Sequence, residues 1–488
     1  MTSLIKNELI KIFKKKTIYI TLILVLAFVI FDNIMYKYVD NNYQRSYFGY
    51  SEEYLNSLKE ELKDLDPNKI SDNTIYIDIK SEIDTAEISN KYPETDWKQQ
   101  IISQNVATLV RQKNEYQYGI EKDEEKAKDI QNQIEKIEQK LNEDDWKYFA
   151  NEELQNASNN LTSLENQKSI TEDKQAIESL ERQIENAKID KEVAEYRINK
   201  NIKYGNDYMN QALQEYQTYA KTVNEAKSQK EELSYEEKQQ YNNNLKNMEI
   251  NKYILESEID VNKRDSLKGM LQNFYNEFGI FIIVIIVMIA GTIVSEEFNK
   301  GTIKLLLVKP YSRKKILLSK FFASIIILIF TIITILIMQL LVGGILFGFD
   351  TLKEPVIEYN FNTQQIQSLN VFEYIGIQTL AQLPMMILLL TLAFAISTIF
   401  ANNALAITIA LLGYMSTMII NQLIIIYNIK PMQYFVTMNW DLSQYLFGGL
   451  PYMQGMTMPV SIIVDILYLA IMLIPTLIIF KRKNIKNI

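Results

Sequence analysis

The residues of this chain that could do chemistry are carboxylates, lysines, arginines, serines and amides, because the sequence contains neither histidine nor cysteine. Their absence excludes thiol nucleophiles, disulfides, imidazole acid–base catalysis and most zinc sites. No convergent set of carboxylates or serines stands out in the sequence. An enzyme is therefore the least favoured class of function, and we expect no catalytic residue and no metal site.

The usual ATP-binding loop is also missing from the sequence. That loop requires a glycine followed by Lys-Ser or Lys-Thr, so that backbone amides and the lysine hold the nucleotide phosphates. No glycine in this chain is followed by lysine. We therefore expect the chain to bind no cofactor, and any ATP and Mg²⁺ used in its function to be bound by a separate subunit.

Charge and hydrophobicity divide the chain between two solvents. The stretch from Asp40 to Phe278 holds 49 of the 59 acidic residues and 32 of the 51 basic ones, a net charge of −17. The rest of the chain is net positive and contains the long apolar runs. One part is therefore predicted to lie in water and the other in a lipid bilayer.

Six apolar stretches are long enough to cross a membrane, which takes roughly 20 residues of helix. They are residues 17–36, 278–295, 321–349, 371–400, 401–427 and 458–480. The division between the fourth and fifth stretches depends on one polar pair, Asn402 and Asn403. The sequence thus predicts an all-α membrane protein with six transmembrane helices.

The orientation of the spans follows from three short basic segments, residues 1–16, 296–320 and 481–488. Lysine and arginine near the ends of spans are retained in the cytoplasm, and these segments all fall on one side of a six-span chain. We therefore expect a bacterial cell membrane protein with both termini in the cytoplasm and residues 37–277 outside. The first apolar run could instead be a signal peptide, but its removal would leave five spans and conflict with the charge pattern.

The acidic segment shows the apolar spacing of helices that pack along a seam. The spacings alternate between three and four residues at Ile130, Ile134, Ile137 and Leu141, at Leu154, Ala157, Leu161 and Leu164, and at Ile177, Leu180, Ile184 and Ala187. This pattern predicts an extracellular, coiled-coil-like helical domain. Further helices are expected over Asp207–Leu233 and Ser234–Leu271, the latter running into the second span, and a strand or two within Asn41–Gln100.

A few polar side chains lie in or beside the predicted spans and are candidates for a transport pathway or gate. Asp465 in the sixth span is costly in lipid and is expected to reach the interface, with substrate contact as the alternative. Three glutamines, Gln339, Gln378 and Gln382, are expected either to bond between helices or to line a pathway. Trp440 belongs to the segment 428–457 before the sixth span.

The most informative string is SEEFNKGTIKLLLVKPYSRKKILLSKFF, from Ser295 to Phe322. Read on its own, it predicts a short helix that starts near Thr302, with Glu296 and Glu297 just before its positive end and Pro310 ending it. A short rigid helix between two spans would act as a lever, because it can transmit a push that a flexible loop would absorb.

The same string resembles the cytoplasmic loop of ABC type-2 exporter permeases, where an E-x-x-x-G-T element follows the second span. In that family the loop supplies a coupling helix that sits in a groove of the ATP-binding subunit. Residues 1–16 are similar to the family's amphipathic interface helix, and residues 428–457 to its re-entrant segment. The resemblance implies a role in ATPase coupling for Glu296, Glu297, Gly301, Thr302, Leu305, Leu306, Pro310 and Arg313.

The resemblance implies a permease subunit that moves a peptide, lipid or amphiphilic compound outward, for example an antimicrobial peptide. Its implied partners are an ABC ATP-binding subunit, a second permease of the same or a sibling chain, and the lipid bilayer, with no nucleic acid. The alternative is a membrane receptor or scaffold that does not transport and whose coiled coil binds a wall component or another protein. That alternative leaves the six spans and the charged string unexplained.

Overall fold

The computed structural model describes residues 1–43, 50–227, 233–261, 263, 265–303 and 311–483. We number its α-helices in chain order. They are α1 Thr2–Phe13, α2 Lys16–Tyr43, α3 Glu52–Lys63, α4 Ile70–Ser89, α5 Lys98–Ile101, α6 Ala107–Tyr118, α7 Glu124–Asn142, α8 Trp146–Ile170, α9 Lys174–Asn199, α10 Tyr208–Lys227, α11 Tyr235–Ser257, α12 Leu267–Gln272, α13 Phe274–Thr292, α14 Ser295–Asn299, α15 Arg313–Phe347, α16 Val371–Phe400, α17 Asn403–Ile426, α18 Val436–Asn439 and α19 Met458–Arg482. A π-helical turn, Ile102–Val106, joins α5 to α6.

The chain forms two compact units. The membrane unit consists of Met1–Lys37 and Val261–Ile488, and the helical unit consists of Tyr38–Asp260. Among the described residues, six helices are long and apolar enough to cross a membrane, which confirms the predicted fold class. These spans one to six are Lys16–Tyr38, Phe274–Asn299, Arg313–Phe347, Val371–Phe400, Asn403–Ile426 and Met458–Arg482. The chain is a multi-pass membrane protein.

The turn between spans four and five lies at the polar pair that the sequence analysis singled out. Span four ends at Phe400, and Ala401 takes a left-handed conformation with φ +51°. The side chain of Asn402 then accepts a hydrogen bond from the backbone N–H of Leu405 at 3.1 Å. Asn402 thereby satisfies one of the free N–H groups at the start of span five, which is why the long apolar run breaks here.

The membrane unit also contains a hairpin for which the sequence analysis has no counterpart. Strand β1 (Val356–Asn360) pairs antiparallel with β2 (Gln365–Leu369) between spans three and four, with Val356 opposite Leu369. Val356 and Leu369 are both buried, in a cluster with Leu267 and Leu271 of α12. Packing against a helix is what stabilises so small a sheet.

The prediction of strands within residues 41–100 is wrong where the structure describes them, because α3 and α4 occupy most of that stretch. The interior face of α4 includes the row Ile77, Ser81, Thr85 and Ser89, spaced by four residues and buried. Its hydroxyls are satisfied internally, with Ser81 donating to the carbonyl of Ile77 and Thr85 to that of Ser81. A helical face made of small polar residues escapes a search for apolar periodicity.

The predicted helix over Ser234–Leu271 is also wrong in its second half. Helix α11 ends at Ser257, and Glu258 adopts a left-handed conformation with φ +58°. A separate short helix, α12, begins after Ser266, whose hydroxyl accepts from the backbone N–H of Gly269. The helical unit is therefore not joined to span two by one continuous helix.

Within the helical unit, the predicted seam is present between α8 and α9, which are joined by residues 171–173. Leu164, Ile184 and Ala187 form a buried cluster, and Leu161 and Leu180 pack against it. The polar segment between Asn142 and Trp146 separates α7 from α8. These contacts fit the coiled-coil-like domain of the predicted fold class.

Candidate functional site: a charged junction after span two

The end of span two, beyond α13, folds into a separate short helix, Ser295–Asn299, which we call the elbow helix. Gly301 ends it with a left-handed backbone, φ +68°, and its N–H donates to the carbonyl of Phe298 at 3.1 Å. Thr302 closes the turn by donating its hydroxyl to the carbonyl of Glu297 at 3.5 Å. Glycine is the residue that takes this conformation without strain, so the Gly-Thr pair fixes where the elbow helix stops.

Four consecutive residues of the elbow helix contact different elements of the membrane unit. Ser295 contacts span four, Glu296 contacts the linker between α1 and span one, Glu297 contacts α1 and span three, and Phe298 contacts the end of span six. A movement of this helix would therefore disturb its contacts with α1 and with spans three, four and six at the same time.

Glu297 belongs to a ring of four charges, which we call the charge ring: Glu8, Lys11, Glu297 and Lys320. The ammonium group of Lys320 lies 2.7 Å from Glu8 Oε2 and 2.8 Å from Glu297 Oε1. The ammonium group of Lys11 lies 3.0 Å from Glu297 Oε1 and 3.0 Å from Glu8 Oε1. Two carboxylates and two ammonium groups alternate, so the ring carries no net charge.

The charge ring is mostly buried. The side chain of Lys320 is 1% exposed, those of Glu8 and Glu297 are 8% and 11% exposed, and that of Lys11 is half exposed. Lys320 also donates to the carbonyl of Ile293 at 3.4 Å. Buried charges are tolerated only when they are paired, so removal of one member would leave an uncompensated charge inside the protein.

The pairing keeps two members of the charge ring ionised. Burial alone would raise the pKa of Glu8, but the nearby ammonium groups of Lys320 and Lys11 outweigh it and lower that pKa below its usual value. Burial also disfavours the charge of Lys11, yet the carboxylates of Glu297 and Glu8 raise its pKa above its usual value. The charge ring is therefore held together by mutual attraction in a partly dry setting.

Glu296 is the more accessible of the two adjacent glutamates of the elbow helix. Its carboxylate lies 3.0 Å from the ammonium group of Lys15 and 3.4 Å from that of Lys300. The prediction that Glu296 and Glu297 act by lying just before a helix near Thr302 is therefore incomplete. Both residues lie inside the elbow helix and are paired with lysines, so ion pairing determines where they point.

Phe298 packs against the end of span six. Its ring is edge-on to Phe480 at 6.3 Å between centroids, and the ammonium group of Lys483 lies 4.5 Å from its centroid. Lys483 donates to the carbonyls of Thr398 and Ile399 at the end of span four, at 3.1 and 2.9 Å. Burial lowers the pKa of Lys483. Lys483, which directly follows span six, therefore satisfies free carbonyls at the end of span four.

Arg313, the first residue of span three, makes an analogous contact. Its guanidinium donates to the carbonyl of Lys481 at 3.2 Å and to that of Lys483 at 2.9 Å. The structure thus places Arg313 against the end of span six, where it caps unpaired carbonyl groups. The other residues predicted to couple to an ATPase, Leu305, Leu306 and Pro310, lie outside the described residues.

Sequence reasoning missed Glu8 as a member of this site, although a signal was present. Leu4, Glu8 and Ile12 are spaced by four residues and form the buried face of α1. A carboxylate in the apolar row of an amphipathic helix needs a buried cation. Lys320, a charged residue in the apolar helix of span three, is the matching partner.

The predicted pathway residues are not brought together at one site. Gln339 is fully buried and exchanges hydrogen bonds with Asn33 of span one, at 2.9 and 3.3 Å, so it joins spans one and three. Gln378 and Gln382 of span four line a cavity of about 60 Å³. Trp440 is buried in the core of the membrane unit.

The carboxylate of Asp465, which was expected to reach the membrane interface, is instead buried inside the protein. It is 6% exposed, and both carboxylate oxygens are inaccessible to water. Ser461, Val464 and Asp465 form the buried face of the first turns of span six, whereas Ile463 and Ile466 are exposed. Helix rotation therefore turns this carboxylate toward the interior of the protein.

Comparisons with known proteins identify a matching family and relatives of this chain. Residues 239–486 match a family described as a protein of unknown function, DUF2705. Two relatives come from Bacillus subtilis (strain 168). The uncharacterized protein YhcI is 30% identical over 219 residues, which cover 44% of this chain and 67% of the relative. The uncharacterized membrane protein YdbK is 28% identical over 171 residues, which cover 35% of this chain and 64% of the relative.

No solved structure matches the chain. The matched residues begin in α11 and include the elbow helix, spans two to six and two members of the charge ring, Glu297 and Lys320. The family match covers half of the chain, and the chain therefore belongs to the DUF2705 family.

Proposed function

We propose that this chain is the membrane-spanning subunit of an ATP-driven exporter of an amphiphilic cargo, and that a separate ATP-binding subunit docks on the loop after span two. The observation that carries the proposal is the elbow helix. One short segment is tied by ion pairs, a hydrogen bond and an aromatic contact to α1 and to spans three, four and six. Such a segment is suited to pass a push from a soluble motor into the spans.

The charge ring gives this lever its stiffness. Lys320 connects span three to both α1 and the elbow helix through two contacts shorter than 3 Å. Because Lys320 is 1% exposed, water cannot readily replace these contacts. A displacement of residues 304–310 would thus move α1, the elbow helix and the start of span three as one body.

The proposed orientation places the charge ring in the cytoplasm and the helical unit outside the cell. It is supported by the basic residues near the ends of spans one, three and six, since such residues favour the cytoplasmic side. An ATP-binding subunit works in the cytoplasm, so the proposed docking loop and the motor would lie on the same side. The acidic helical unit would meet the cargo or the cell wall.

The first test is to purify the tagged full-length protein gently from its native membrane and to identify what comes with it. We expect an ABC-class ATPase to co-purify with the wild type. The loop variant Leu305→Asp/Leu306→Asp should lose the ATPase, because it replaces with carboxylates two apolar side chains that we propose contact the ATPase. Asn362→Asp, in the exposed turn of the hairpin, is the matched control and should keep it.

The opposite result would be equally informative. If no ATPase is recovered under conditions that preserve a known ABC transporter complex, the exporter proposal fails. Recovery of an extracellular or wall-associated partner that binds the helical unit would instead favour the receptor or scaffold. Retention of the ATPase by the loop variant would refute the proposed docking loop but leave the exporter proposal standing.

A further inference from the structure

A second polar site lies in span six, at the far end of that helix from Arg482. Asp465 is about two turns from the helix start at Met458. Neither carboxylate oxygen is accessible to water, and neither has a hydrogen-bond partner among the residues that the structure describes. Asp465 shares its buried face with Ser461, so the carboxylate is held inside the membrane unit.

The polar groups next to Asp465 are engaged with one another. The hydroxyl of Ser461, one turn earlier, donates to Asn439 Oδ1 at 2.8 Å and lies 2.7 Å from the hydroxyl of Tyr445. Ser461 is fully buried, and Asn439 is 1% exposed. These residues belong to α18 and to the 3-10 segment Leu442–Gly448, which pack on span six.

Within the part of the chain that the structure describes, spans three and four, α18 and the 3-10 segment, which pack on span six, offer Asp465 no compensating cation at its depth. Span three carries its lysines and arginine only between Arg313 and Lys320, at the opposite end of the bundle, and α18 has no charged residue. Span four contributes only Glu373 and a tyrosine, while Asp441 and Tyr445 lie in and beside the 3-10 segment. The nearby titratable groups are therefore acids or phenols.

An isolated ionised carboxylate in such a setting is strongly disfavoured, because water is excluded and no opposite charge replaces it. We propose that Asp465 is a proton-binding site, a neutral carboxylic acid in the conformation described here. The acid releases its proton to water only when the segment that contains α18 and Tyr445 moves away from span six and admits solvent. This inference stands on the burial and isolation of Asp465 and does not require the exporter function.

The experiment uses the full chain in lipid nanodiscs and two carbodiimides, which activate protonated carboxyl groups. A lipid-soluble carbodiimide should modify the peptide that contains Asp465, as detected by mass spectrometry, whereas a water-soluble one should not. Asp465→Asn should lose this modification completely. Asp441→Asn is the matched control, because Asp441 is a nearby, partly exposed carboxylate, and it should leave the modification of Asp465 unchanged.

Infrared difference spectra give an independent readout. The wild-type spectrum minus that of Asp465→Asn should contain the carbonyl band of a carboxylic acid, and that band should shift in heavy water. A carboxylate band in its place, as an ion pair with a second copy of the chain would produce, overturns the proposal. Modification of Asp465 by the water-soluble reagent also overturns it. If Asp465→Asn does not fold, Asp465→Glu keeps the test open, since it should move the acid band without abolishing it.

Discussion

The charge ring makes a quantitative prediction about two adjacent glutamates. Glu297→Gln removes a buried carboxylate that pairs with both Lys320 and Lys11, whereas Glu296→Gln removes a carboxylate whose side chain is 29% exposed. Breaking a buried pair typically costs 3–5 kcal/mol, and the low end applies here because Glu8 still pairs with Lys320. We expect a loss of about 3 kcal/mol for Glu297→Gln and of at most about 1 kcal/mol for Glu296→Gln.

Because the chain contains no cysteine, a single introduced thiol can report the difference in stability between the two variants. Ser319 is 1% exposed and lies next to Lys320, so Ser319→Cys would place one thiol in the closed junction. A maleimide reagent reacts with this thiol only when the junction opens. Since 1.4 kcal/mol corresponds to a tenfold change, we expect labelling about 100-fold faster in the Glu297→Gln background and less than about tenfold faster in the Glu296→Gln background.

A double variant tests whether the cost comes from an uncompensated charge. Glu297→Gln with Lys320→Gln leaves one carboxylate and one ammonium group, Glu8 and Lys11, which are 3.0 Å apart. Each single variant should speed labelling by some factor over the wild type. We expect the double variant to speed it by less than the product of the two factors, because the effects of removing two charges in contact are not additive. Equal labelling rates for Glu297→Gln and Glu296→Gln, or strictly additive effects in the double variant, would refute the reasoning.

Three other predictions concern the same unit and its orientation. Gly301→Ala should raise the rate of trypsin cleavage after Lys300, because a left-handed alanine costs roughly 1–2 kcal/mol, while Gly301→Asn should raise it less; equal rates would contradict the role of the backbone conformation. Glu8→Gln should lower the thermal unfolding temperature by its full amount above the ordinary glutamate pKa, and this difference from the wild type should vanish as the pH falls through the lowered pKa of Glu8. A difference that grows on acidification would count against this prediction. An impermeant maleimide on intact cells should label Asn160→Cys, and label Lys314→Cys only after permeabilisation; the reverse pattern would invert the proposed topology.

The six spans could be predicted from the sequence because each is a local property. A run of apolar residues is sufficient to identify a span, and Asn402 marked the turn between spans four and five because its side chain caps the next helix. The seam of the helical unit was visible for the same reason, in the spacing of Leu161 and Leu164 on α8 and of Leu180, Ile184 and Ala187 on α9. Periodicity reports which face of a helix is apolar, and these elements require nothing more.

The charge ring could not be predicted from such patterns because its members are far apart in the chain. Glu8 and Lys320 are separated by 312 positions, and no spacing rule connects them. Each is visible alone as a charge in an apolar row, but their pairing follows only from how α1 packs on span three. The hairpin β1–β2 was missed for a related reason, since Val356 and Leu369 become buried through contact with α12.

Stability alone does not explain why a membrane protein would keep four charges in contact. Replacing a buried ion network by well-packed apolar residues is often neutral or stabilising, so the ring gains little over a cluster of leucine and methionine. What the charges add is a defined geometry, because each ammonium group is satisfied only when both carboxylates are in place. Lys320 can meet Glu8 and Glu297 together in one arrangement of α1, the elbow helix and span three. An apolar replacement would let these elements slide against one another, whereas the lever that we propose can transmit force only if they stay in register.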